Sequence, residues 1–197
     1  MAPTLIGYFP KERAVPPPWM AELRILEVGS VALCIASGPD GWINAWKHND
    51  GGFFDHPDSA WSVVSPDDRG RFRMLAYDLH PAEFIDGVEQ PIQAPSLEVA
   101  PLDRSFRFLG WDVVSRSTGD FFECSPLSCN LLAKEVPTNS ACLLPQFEAA
   151  RSLASTAEAN GCSTSLLPAH KPTRHVLDGC RLDVSRYHRA VPAPRLR

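Results

Sequence analysis

Nineteen prolines spread through 197 residues set the limits on what this chain can build. A proline fixes φ, removes a backbone donor and stops a helix interior or a central strand. Pro10, Pro16, Pro17, Pro18, Pro39, Pro57, Pro66, Pro81, Pro91, Pro95 and Pro101 leave the N-terminal half without room for long elements. Short strands and single-turn helices are expected, and a long helical bundle is excluded. With 44% hydrophobic residues the chain still builds a sizeable core, and its length fits one domain.

Within these limits the patterns point to an α+β fold: a mainly antiparallel sheet of about five short strands with two main helices packed on it. Residues 4–9 read as a first strand stopped by Pro10. Residues 24–36 are apolar and rich in Val and Ile, so at least one strand is expected there. Residues 71–79 alternate, with Phe72, Met74 and Ala76 on one side and Arg73, Leu75 and Tyr77 on the other. Residues 106–115 resume a strand carried by Phe106, Phe108, Trp111, Val113 and Val114. Alternation with short turns, rather than regular βαβ units, favours antiparallel pairing.

The clearest helix start is Cys124-Ser125-Pro126-Leu127-Ser128-Cys129. Ser125 suits the N-cap, and Pro126 suits the first helical position, where its missing N–H is not needed. A helix over about 125–135 follows, ended by Pro137. The second helix, about 145–160, shows a one-sided stripe of Phe147, Ala150, Leu153, Ala154 and Ala157, with Gly161 placed to end it.

Charge divides the chain. Residues 1–161 carry 12 Lys/Arg against 21 Asp/Glu, and residues 162–197 carry 7 against 2. The expectation is a globular domain over 1–161 and a basic, Pro/Arg/His-rich tail over 162–197 without stable structure. An acidic body is poorly suited to phosphate backbones, so nucleic acid is not the expected partner. No run approaches the ~20 apolar residues of a membrane helix, and the N-terminus lacks a signal-peptide pattern. A soluble, cytoplasmic protein with reduced thiols is expected.

The register of the first helix puts Cys124 at N′ and Cys129 at N4, positions that touch in a hydrophobic staple. A thiol beside a helix N-terminus feels the positive end of the dipole, which favours the thiolate. Cys124 is thus a candidate nucleophile or redox thiol and Cys129 its resolving partner. Packing of two small apolar side chains explains the same placement. His48, beside the Asn49-Asp50-Gly51-Gly52 turn, is a candidate base oriented by Asp50 or Asp55. His56 and His80, each before a proline, are placed to cap element ends. The cysteine spacing does not match structural zinc sites, and no metal or cofactor is expected. No GxGxxG, GxxxxGK[ST], HExxH or GxSxG string occurs.

Two functions follow. The first is a non-enzymatic module that binds another protein, favoured by the aromatic residues Trp42, Trp46, Phe53, Phe54 and Trp61 if part of that group is exposed. The second is a thiol-dependent protein centred on Cys124.

Overall fold

In a computed structural model, residues 2–33, 35–45, 52–85, 88–92, 98–116, 122–129, 131–157 and 164–172 are described. They form a seven-stranded sheet in which every pairing is antiparallel, with short helices on it, so the α+β class expected from the sequence is what the chain adopts.

The strands are β1 Thr4–Glu12, β2 Phe72–Leu79, β3 Ala82–Ile85, β4 Val88–Pro91, β5 Phe106–Arg116, β6 Phe122–Cys124 and β7 Thr164–Pro172. The helices are α1 Pro18–Glu22, α2 Trp42–Ala45, α3 Pro57–Ser62, α4 Pro126–Cys129 and α5 Phe147–Ala157, with 3-10 turns at Pro66–Arg71 and Leu132–Lys134.

β7 is the centre of the sheet. One edge pairs along its whole length with β5. The other meets β2 through Ala169 and His170, and β3 through Thr164 and Ser165. β2 and β3 therefore lie end to end along one side of β7, broken at His80-Pro81. β1 pairs with β2, and β4 closes a hairpin with β3.

Two prolines lie inside strands. Pro10 does not stop β1. Tyr8 and Glu12 send their N–H groups away from β2, to Phe54 O and Ser37 O at 2.8 Å each. Pro10, between them, has its nitrogen on that same outer edge, where no ladder bond is lost. Pro168 of β7 stands opposite Trp111, which turns its own N–H and C=O outward to Leu144. The nitrogen of Pro168 thus faces the other side, at the break between β2 and β3.

This placement corrects the expected boundary at residue 161. Thr164–Pro172 belongs to the folded domain although it looks like tail. Its prolines, His170 and Lys171 hide the strand signal, and its partners on β5 lie 49 to 66 residues away. Residues 173–197, the rest of the expected tail, lie outside the described residues.

Two further expectations are corrected. Residues 24–33 form no strand; they cross the sheet as an irregular strap that starts with Arg24 at φ 59°. The helix expected over 125–135 is a single α turn, Pro126–Cys129, followed by the 3-10 turn Leu132–Lys134. Leu131 at φ 63° separates the two, because left-handed backbone cannot continue a right-handed helix. The second expected helix is present as α5, with Ala150 and Ala154 fully buried.

Core residues fill both faces of the sheet. One cluster gathers Tyr8, Phe53, Phe54, Leu75, Tyr77 and Val114; the other joins Met20, Val28, Val113 and Leu127 to Ala150 and Ala154 of α5. Adjacent Val113 and Val114 belong to different clusters, while consecutive residues 74–77 of β2 all belong to the first. β2 is consequently buried along nearly its whole length, not on one face as its alternation suggests.

Candidate functional site

The start of α4 holds the most polar part of the core. Ser125, just before the helix, donates its hydroxyl to Asp112 Oδ1 of β5 at 2.7 Å. Asp112 is fully buried and also accepts the Val113 N–H at 3.0 Å, and Ser30 of the strap stands near enough to favour its charged form. Its second oxygen, Oδ2, meets no donor among the described residues. Burial pushes the Asp112 carboxyl up to about 6, although Ser125, Ser30, Lys11 and the Val113 amide each pull it down.

The strap explains the remaining polar groups. Its residues 28–32 are buried without regular structure, so their carbonyls need partners from elsewhere. Lys11 of β1 donates to Ser30 O and Ala32 O, and Arg73 of β2 to Val28 O. Tyr77 donates to Gly29 O and Ser30 O at 3.2 and 3.3 Å. The Arg73 guanidinium is further paired with Glu27. Three sheet side chains therefore replace the ladder that a strand at 24–36 would have had.

The cysteines fall at the edge of this junction. Cys129 is half-buried, its Sγ 3.7 Å from Ser128 Oγ. Cys142, which the sequence did not single out, is buried at φ 57°, and burial first, then Asp112 and Cys129, pushes its thiol up to about 12. Such a thiol is a poor nucleophile at neutral pH. Cys124 ends β6 opposite Ser115, and its side chain lies outside the described residues, as does all of His48. A single-turn helix also offers little of the dipole on which activation of Cys124 relies. Among the described residues no group of three His, Cys, Asp or Glu is placed to hold a metal ion, and no helix is long and apolar enough to cross a membrane. His56 caps α3 as expected, its Nδ1 accepting the Asp58 N–H at 3.0 Å.

The aromatic group between Trp42 and Trp61 is mainly core. Trp42, Phe53 and Phe54 are buried, Trp61 is half-buried with the Arg69 guanidinium 5.9 Å from its ring, and Trp46 lies outside the described residues. A different aromatic cluster reaches the surface. Phe147 of α5 packs against both Trp111 and His80 with ring centroids 4.9 Å apart, and Phe108 meets Trp111 at 6.0 Å. Phe108 is 47% exposed, while Trp111, Phe147 and His80 are each partly covered.

Three residues apart in a flat strand, Phe108 and Trp111 would face opposite ways. The register shift between Phe108 and Gly110 returns them to one face. Gly110 holds φ 153°, and a Cβ there would lie 2.8 Å from Leu143 Cβ and 2.9 Å from Leu144 O, so only glycine fits. Nearby, Arg151 of α5 bonds Glu89 of β4 at 2.6 Å. His80 Nδ1 has no partner among the described residues, and burial lowers the pKa of its ring. The one sequence signal for this cluster was Gly110 between two large aromatics, the usual mark of a bulge.

An open depression of about 170 Å³ beside Glu12, Asp40, Asp68 and Arg71 is smaller than the ~300–1,000 Å³ of ordinary ligand pockets. Comparison with protein-family models, with curated proteins and with solved structures finds no match to this chain.

Proposed function

We propose that the chain is a non-enzymatic module that binds another protein in the cytoplasm, using the surface around Phe108, Trp111, Phe147 and His80. The observation that supports this reading is an aromatic cluster left partly open to solvent, with Phe108 47% exposed. Partly exposed aromatics bordered by an ion pair resemble the centre and rim of protein interfaces, where large rigid rings carry most of the binding energy. The surface replaces the Trp42–Trp61 group as the basis for this function, because that group is largely buried. The thiol-dependent alternative rests on Cys124, since burial disfavours the Cys142 thiolate.

Affinity capture with the natural chain and with a Phe108→Ser variant, both at native abundance, tests the proposal. A set of proteins held by the natural chain and lost by an equally stable Phe108→Ser chain supports it. The same set with both chains, or none with either, contradicts it.

A further inference from the structure

Asp112 joins three parts of the molecule that are far apart in sequence. It stands on β5, accepts the hydroxyl of Ser125 at the start of α4, and faces Ser30 of the strap. The strap itself is tied to the segment before α5 by Leu26 N–H to Ser140 O and Gly29 N–H to Ala141 O, each 2.8 Å. The carboxyl is fully buried, with one oxygen that meets no donor among the described residues.

We propose that Asp112 is a proton-controlled joint: with its carboxyl neutral the strap, β5 and α4 are held together, and ionisation loosens them. A charge confined without full hydrogen bonding is costly, and the local structure relieves that cost by opening toward water. The titratable and charged groups facing Asp112 are Lys11 from β1, Tyr77 from β2 and Cys142 from the segment before α5, with the Arg73–Glu27 pair beyond Tyr77. Burial raises both Tyr77 and Cys142, so neither loses its proton in the mildly acidic range. Lys11 donates to two strap carbonyls, so its ammonium is shared between them and the carboxylate. Partial ionisation of Asp112 thus sets how tightly the strap, with its 75% exposed Leu26, is held. The burial that pushes the carboxyl up to about 6 places this change between mildly acidic and neutral conditions.

Hydrogen exchange on the full chain, converted to protection factors, tests the proposal at about pH 5 and about pH 7.5. The amides of Gly29 and Cys129 report on the joint, and Tyr8, bonded to Phe54 at the far edge, serves as reference. The expected result is a loss of protection of about tenfold or more at Gly29 and Cys129 toward neutral pH, with Tyr8 unchanged and the difference absent in Asp112→Asn. Equal behaviour of all three amides, or the same loss in Asp112→Asn, overturns the proposal. Should that variant fail to fold, the carbon shift of the Asp112 carboxyl in the natural chain decides. A midpoint near 6 together with the local loss of protection supports the joint; a midpoint in the ordinary carboxyl range overturns it.

Discussion

Lys11 of β1 and Arg73 of β2 stand directly opposite each other in the sheet, and both are buried. Like charges at such a position ordinarily destabilise a strand pair. Here both reach the same irregular strap, Lys11 the carbonyls of Ser30 and Ala32 and Arg73 that of Val28, while Glu27 pairs with Arg73. The sheet thus holds a buried, non-repetitive segment by side chains rather than by ladder bonds.

Lys11→Met removes the donor from two buried carbonyls and the cation near Asp112. A loss of about 3 kcal/mol or more is expected in chemical denaturation, in line with breaking a buried polar pair. Arg71→Ala, which cuts the exposed contacts to Glu12 and Asp68, is expected to cost under about 1 kcal/mol by the same measurement.

The sign of the Asp112 contribution is opposite to that of a salt-bridged carboxylate. Its pKa is higher in the folded chain than in the unfolded one, so the folded state binds more protons between 3.8 and about 6. Stability from this group is therefore greatest below 3.8 and declines as pH rises through about 6, by roughly 3 kcal/mol in all. His80 works the other way, since its lowered pKa favours the neutral ring and its contribution falls on acidification. Melting curves of the natural chain and Asp112→Asn across this range isolate the first effect: the variant gains on the natural chain as pH rises. A constant difference between the two would refute the assignment.

Gly110→Val is expected to destabilise the fold by about 2 kcal/mol or more, because the new side chain meets Leu143, Asn139 and Leu144 where the backbone already requires glycine. The same substitution at Gly70, which has open space around it, is expected to be nearly neutral in thermal denaturation.

A chain ending after Pro172 is expected to keep its cooperative melt, whereas one ending after Gly161 loses the central strand and does not fold. Circular dichroism melts of the two truncations distinguish this boundary from one at 161.

Thiol labelling at neutral pH is expected to leave Cys142 unmodified until the chain unfolds, given its burial and its raised pKa. Rapid selective labelling of Cys124 in the native protein would favour the thiol-dependent function over the interaction module.

The sequence was legible where a local pattern and the tertiary structure asked for the same thing. The stripe of α5 and the alternation of residues 71–79 needed only short-range periodicity to be read. Pro126 announced a helix start, yet not that Leu131 would end the first turn. The strap was misread because Val and Ile suit a buried extended chain, and nothing local reveals that Lys11, Arg73 and Tyr77 would supply its hydrogen bonds. β7 was missed for the converse reason: its strand character comes from neighbours on both sides, not from its own composition. The surface cluster depended on a bulge at Gly110, which moves Trp111 onto the face of Phe108. Cys124 and His48 had clear local arguments, and neither side chain falls among the described residues.

Site-specific photo-cross-linking gives the most direct test of the interaction surface. A photoreactive phenylalanine analogue placed at 108, and for comparison at the similarly exposed Val15, is activated in cells that make the protein. The account predicts a discrete adduct with another protein from position 108 and none of that mass from position 15. Identical adduct patterns from both positions, or no adduct from position 108, would contradict it.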